Sequence, residues 1–416
     1  MKLEKYSFGI GDRFGLQGKA QLTAIMNAAN AGIDIVPVWN KSNREHQIIH
    51  SEPEEVRFEA EQAVRNLNWK GNYYVDADHI NLGNVDRFIA HSDFFTIDVA
   101  DYIGKKADQQ DIDIFIKENE RFSGKNFTIP GIDEPFTISK EKLKEIAAKY
   151  LFAIKKASEI YQYILNIKGE GNFIPEVSMD EVNDPQSPAE LFFILSGLAS
   201  EKLPLQTIAP KFSGRFNKGV DYVGDLLQFK KEFHADLLVV EKALTEFDLP
   251  ENLKLSVHSG SDKFTIYPVM GELIRKLDKG LHVKTAGTTW LEEMIGLALA
   301  GEEALDLARS IYRKAFTRRV ELCGPYATVI DIDEGQLPSP DEVDSWSSEK
   351  YANALRHIPG HPEYNPSMRQ LIHVGYKIAA EYANVYISLV RRNEIIVSKQ
   401  VIENIYDRHL RRLFNI

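Results

Sequence analysis

Cysteine occurs once in this 416-residue chain, as Cys323, so no internal disulfide can form. That fits a reducing compartment, and cytoplasmic location is the expectation. No apolar run approaches the ~20 residues that a membrane-spanning helix needs, and residues 1–6 show no signal-peptide apolar core. Basic excess is also missing. Lys and Arg number 50 against 61 Asp and Glu, a net charge of −11. A nucleic-acid partner is therefore not expected, and an anionic small molecule would need a local cluster of Lys or Arg. No Gly-x-Gly-x-x-Gly element supports a nicotinamide held in a dinucleotide fold.

Against these absences stands an ordinary globular composition, 44% hydrophobic and 27% charged, enough for a large core. Eight short β-rich runs end in polar or glycine-containing turns: residues 6–10, 33–39, 73–78, 94–99, 173–178, 207–212, 253–258 and 281–284. Helix-period segments lie between them, among them 18–31, 54–66, 187–200, 222–243 and 267–278. This alternation predicts a (β/α)₈ TIM-type barrel over 1–290. A polar excursion at about 102–138 predicts an inserted segment after strand four, a lid or a subdomain. Helix 139–166 returns to the barrel, and residues 291–416 read as a mainly helical C-terminal extension packed on it.

In parallel α/β folds, ligands bind beyond the carboxyl ends of the strands. Four such ends carry the chemistry here. The run Tyr73-Tyr74-Val75-Asp76-Ala77-Asp78-His79 enters two carboxylates and an imidazole. Side chains alternate along a strand, so only one of Asp78 and His79 lies in the inward row, and the other sits where the strand breaks. Glu176 lies inside an apolar run. There it is either desolvated, with raised proton affinity, or held by a metal. Asp78 and Glu176 are thus the acid–base candidates. His79, His258 and His282 fall at or beside strand ends and are candidate ligands for a divalent ion; neutral imidazole suits Zn, Mn, Ni or Co. Asp180, Asp221 and Asp262 are candidates for an added oxygen ligand. Arg13, Lys211, Lys263 and Lys284 are candidates to bind a substrate carboxylate. The turns at 259–261 and 285–288 occupy the barrel's usual anion position, though they are poor in glycine. Arg369 and His373 share a helix face that would be either plain surface or a cover over the barrel mouth.

These residues sit in stretches that resemble the tagaturonate epimerase family. The resemblance rests on Phe8-Gly9-Ile10-Gly11-Asp12-Arg13, Asp76-Ala77-Asp78-His79, Phe95-Thr96-Ile97-Asp98, Glu176-Val177-Ser178-Met179-Asp180-Glu181 and Lys218-Gly219-Val220-Asp221-Tyr222-Val223-Gly224-Asp225. It continues in His258-Ser259-Gly260-Ser261-Asp262-Lys263-Phe264, His282-Val283-Lys284-Thr285-Ala286-Gly287-Thr288 and Arg369-Gln370-Leu371-Ile372-His373-Val374. The resemblance implies a divalent-metal-dependent barrel epimerase that interconverts tagaturonate and fructuronate. It implies Asp78 as proton acceptor, Glu176 as proton donor, and His79 and His258 as metal ligands, with His282 carried as the third. One departure is that the family has a further region ahead of the Gly-x-Gly-Asp-Arg motif, which begins here at Gly9. The implied partner is a small-molecule keto-uronate. Alternatives are epimerisation of neutral ketohexoses (tagatose and fructose), a metal-dependent aldolase, or a non-catalytic sugar-acid-binding barrel. An oligomer is compatible with the sequence but not readable from it. The inverted carbon is β to the ketone, which favours retro-aldol cleavage over enolisation, with hydride transfer by a tightly bound cofactor as the alternative route.

Overall fold

A computed structural model describes the chain except residues Lys125, Glu134 and Ala286 and the side chain of Asn126. The Ala286 position of the 285–288 turn therefore lies outside the described residues.

Eight parallel strands close into a barrel: β1 (Tyr6–Ile10), β2 (Ile35–Ser42), β3 (Tyr74–Ile80), β4 (Phe94–Asp98), β5 (Ile174–Ser178), β6 (Thr207–Ala209), β7 (Lys254–His258) and β8 (Leu281–Lys284). Closure comes from β1 pairing with β8, Tyr6 opposite Leu281 through Gly9 opposite Lys284. The first and last strands match the sequence expectation. Strand β2 runs three residues further, through Asn40 and Lys41, because pairing with β3 supplies the hydrogen bonds that local composition does not suggest.

Helix starts follow local chemistry. Ser187 caps the helix Pro188–Ser200 by accepting from the Glu190 amide, with proline in the first turn. Ser139 does the same for the 29-residue helix Lys140–Lys168, which ends at Gly169 in a positive-φ conformation. The inserted segment carries secondary structure of its own. It holds the helix Gln109–Asn119 and a small hairpin, Asn126–Phe127 with Phe136–Thr137. Phe122 and Phe127 pack on Phe192 and Phe193 of the helix Pro188–Ser200, on the barrel's outer ring.

Inside the barrel, alternation sorts the side chains into layers. Val36, Val38, Tyr74, Phe94 and Ile174 form an apolar plug with Leu3. Above it the same inward rows become polar: Asp76 and Asp78 on β3, Thr96 and Asp98 on β4, Glu176 and Ser178 on β5, His258 on β7 and Lys284 on β8. A helix ring on the outside makes the large core.

Beyond β8 the chain is helical. Residues from Trp290 to Val397 build a second apolar core. The last turns, with Val401, Ile405, Leu410 and Leu413, join the core of the barrel itself. Between the two parts runs a buried ionic junction. Asp262, after β7, accepts from Arg369 Nη2 at 2.5 Å and lies 3.1 Å from His357 Nδ1. Arg369 also donates to the carbonyls of Gly219 and Leu355. A π-helical stretch, Glu403–Leu410, brings Asn404 and His409 to the same carboxylate. Asp262 is thus saturated by the extension and is not an oxygen ligand; Asp221, which accepts from Thr265 and Tyr222, is tied up elsewhere. No helix of the described residues is long and apolar enough to cross a membrane.

Removing one partner of a buried pair leaves an uncompensated charge, at a cost of roughly 3–5 kcal/mol. Asp262→Asn and Arg369→Met should each lower unfolding free energy by that order in urea titrations. The double variant should lose much less than the sum. Additive losses would show that the two residues act separately.

Candidate active site

The site is built from four strand ends, and β3 contributes most. Its ladder with β4 slips between Ala77 and Ile80. His79 there takes a left-handed backbone conformation, φ +52°. For a non-glycine residue this costs on the order of 1–2 kcal/mol. The break lets two adjacent residues, Asp78 and His79, both face the mouth, which a regular strand forbids. His79 then lies edge-on to His258, ring centroids 5.4 Å apart.

At the centre is Lys284. Its ammonium donates to Asp76 at 2.8 Å, Asp78 at 3.0 Å, Thr96 Oγ1 at 2.6 Å and Glu176 at 3.2 Å. Glu176 is fully buried, accepting also from Thr96 and Thr207 and facing His258 Nε2 at 2.9 Å. Burial pushes its proton affinity up, but Lys284 and His258 outweigh that and hold it well below the usual carboxylate range. The raised affinity expected for Glu176 belongs instead to Asp76. Burial lifts that carboxyl, Lys284 pulls it down, and Asp78 and Glu176 lift it again, to about 6. Asp78 is also desolvated, yet Lys284 and the two imidazoles bring it to about 2. Desolvation disfavours charge on the imidazoles, but their carboxylate neighbours prevail: Asp78 and Asp98 raise His79 to about 10, and Asp180 and Glu176 raise His258 to about 9.

His79, Asp180 and His258 present three ligand atoms within 4.8 Å of one another. Asp180 reaches this point through Ser178 Oγ at 2.5 Å and His258 Nδ1 at 3.1 Å. His79 Nδ1 is buried and lies 3.4 Å from Asp98 Oδ2. Two imidazoles and a carboxylate are a donor set that fits a divalent transition ion. A second grouping, His79 with Asp98 and Glu181, shares the same imidazole.

His282 is not among them. It shares the inward row of β8 with Lys284 but lies one layer deeper, against Phe94 at 5.3 Å, with Nδ1 bonded to Ser7 Oγ at 2.9 Å. Burial there depresses its proton affinity to about 3. Lys263 is likewise withdrawn. It is fully buried and donates to the carbonyls of Asn217 and Val220 and to Ser261, fastening loops instead of facing ligand. Lys284 lines the cavity with its ammonium engaged by three carboxylates.

Over the cluster opens a cavity of about 400 Å³. Asp78, His79, Asp180, His258 and Lys284 form its floor, and Arg13 and Lys211 lie in its wall. Three cations not singled out by sequence join them: Arg44, Arg215 and Lys218. Arg44 comes from the helix Asn43–Ile49 after β2, and Arg215 and Lys218 from the loop after β6. Asp76, the other carboxylate of the β3 run though not an acid–base candidate from sequence, joins the cluster because its two-residue spacing to Asp78 puts both in one inward row. His373 lines the cavity, while Arg369, four residues before it, is buried in the Asp262 junction and does not.

A model of the tagaturonate epimerase family matches residues 1–414. The tagaturonate/fructuronate epimerase of Thermotoga maritima is 29% identical over 384 residues, 89% of this chain and 72% of its own length. The glycerol-complexed crystal structure of a fructuronate-tagaturonate epimerase from Cohnella laeviribosi is similar at TM-score 0.83 and 22% identity, covering 99% of this chain and 82% of that one. The native crystal structure of the Cohnella laeviribosi epimerase gives 0.80 at 21% identity, with the same coverage. The structural likeness speaks for a shared barrel, and the near full-length family match speaks for more: this chain is an isomerase that belongs to the tagaturonate epimerase family.

Proposed function

We propose that the chain interconverts tagaturonate and fructuronate, inverting the carbon β to the ketone by cleaving and re-forming its bond to the α carbon. The observation that carries this reading is the union of an acid–base cluster on Lys284 with a cation-walled cavity, in a chain of this family. An acidic protein holds an acidic sugar only where cations gather, and they gather here.

Asp78 is the proton acceptor in this reading. It is ionised, faces the cavity and is positioned to take the proton of the β-hydroxyl as the carbon–carbon bond opens. The aldehyde fragment turns about its remaining bond and presents its other face. Glu176, ionised at rest, first gains through Lys284 the proton that Asp78 removed, and as the proton donor gives it to the new alkoxide when the bond re-forms. A carboxyl with lowered proton affinity is a strong acid once protonated. Lys284 spans the two, 3.0 Å from Asp78 and 3.2 Å from Glu176, so the proton removed on one side can return on the other through its ammonium. Enzyme and substrate thus end with the protons they began with. A divalent ion held by His79, Asp180 and His258 supplies, when bound, Lewis-acid stabilisation of the charge that develops at the ketone end. The barrel and the helical extension act as one catalytic unit, since both line the cavity.

Metal analysis should find about one divalent ion per chain. His79→Ala, His258→Ala and Asp180→Ala should lose it, since even outer partners are worth about 10–100-fold in affinity. His282→Ala should retain it. Full occupancy in the first three would remove the proposed site.

Asp78→Asn and Glu176→Gln should keep the fold and lower turnover by about 10²–10⁴-fold. A rate near wild type for either would make that residue structural. Accumulating three-carbon products in the wild type would mean an aldolase instead.

Epimerisation in D₂O should leave the inverted carbon free of deuterium, because no C–H bond breaks. Deuterium on that carbon, or a large isotope effect from labelling its own hydrogen, would exclude bond cleavage.

A further inference from the structure

His373 stands apart among the buried imidazoles. It is 2% exposed, and neither ring nitrogen has a hydrogen-bond partner among the described residues. It nevertheless lines the cavity, carried there by the helix Pro366–Val374 of the extension. Its Nε2 abuts Gly287, where a Cβ would sit 2.7 Å from that nitrogen and 2.5 Å from the Gly260 carbonyl. A side chain at Gly287 would collide with both, so only glycine fits this recess at the edge of the cavity. Gly260, itself at φ +66°, lies beside Lys218, whose Nζ is 3.3 Å from where a Cβ would project.

Gly287 is also the N-cap of the helix Thr288–Ala300, and no side chain caps that end. The positive end of a 13-residue helix attracts anions, and its first amide, Thr288 N–H, donates to the Thr285 carbonyl at 3.2 Å. In barrels the loops after strands seven and eight are the common place for such a site. Arg13 closes the recess, its guanidinium 3.5 Å from the Gly287 carbonyl, 4.3 Å over the Tyr376 ring and paired with Glu45. Burial and the nearby charges of Arg13, Lys218 and Arg369 keep His373 neutral, well below its ordinary value. A neutral imidazole beside a cation offers an N–H donor and no further charge.

We propose that this recess, formed by Lys218, His373 and the helix N-terminus at Gly287, is the subsite for the substrate's carboxylate and neighbouring hydroxyl. His373 is its specificity-determining donor. The inference rests on the keto-uronate reading and assigns its acid end a place. It moves that role away from Lys284, whose ammonium is consumed by three carboxylates. The ketone then lies toward His79 and His258, across the cavity, and the bond to be cleaved lies between.

Glycerate reproduces the carboxylate and adjoining hydroxyls of that end, and glycerol is its uncharged counterpart. By calorimetry, Lys218→Met and His373→Leu should weaken glycerate binding by about ten-fold or more, the worth of one charge-assisted hydrogen bond. His373→Gln, which keeps an N–H donor, should regain most of the loss. Glycerol binding should not respond. With tagaturonate, KM should rise by a similar factor while kcat stays within about three-fold, the signature of lost ground-state binding. Circular dichroism checks each fold, and Lys218→Met, only partly buried, decides the matter if His373→Leu fails to fold. Glycerate affinity unchanged in the variants, absent in the wild type, or lost equally for glycerol would overturn the subsite. A wild type that binds glycerate through these residues yet does not epimerise tagaturonate would overturn the activity and leave the subsite standing.

Discussion

One ammonium holds the active site together. Lys284 rises from the last barrel strand into a chamber whose inward rows carry Asp76, Asp78 and Glu176. Without it, three carboxylates would share a low-dielectric volume, where like charges repel strongly. With it, two are held ionised and the surplus charge is relieved at Asp76. The arrangement is a poor investment in stability, since desolvating ions costs about as much as pairing them returns. Its value is functional: it fixes a base and an acid within hydrogen-bond reach of one mobile proton source.

The second constraint is geometric. A regular strand cannot aim neighbouring side chains the same way, yet Asp78 and His79 both face the mouth. The slip in the β3 ladder and the left-handed backbone at His79 resolve this, at a local cost that the surrounding packing sustains. The same break brings His79 beside His258 and Asp180, so proton chemistry and the ligand group are neighbours by construction.

The third is the junction of Asp262 with Arg369. It lies under the loop after β7 and anchors the helix that carries His373. A change in this buried pair therefore reaches the cavity wall without touching the chemistry. The extension lines the cavity, and the described residues of the inserted segment, packed through aromatic rings on the helix Pro188–Ser200, do not.

Sequence alone determined the barrel and most of its strand limits, because β-branched runs between capped amphipathic helices report local backbone preference directly. It also determined that Asp78, His79, Glu176 and His258 stand at strand ends, since chain position sets height along a barrel strand. It could not decide which inward side chains meet. His282 and Lys284 share one inward row, and only the depth of each layer sends one to Ser7 and the other to the carboxylates. Nor could it rank the carboxyls: Glu176 among apolar neighbours in sequence is, in space, beside an ammonium and an imidazole. Lys263, a candidate ligand-binding cation in sequence, is a buried fastener, while Lys218 and Arg44, not among those candidates, line the cavity. Proton affinity and exposure depend on neighbours distant in sequence, and those neighbours exist only once the barrel has closed.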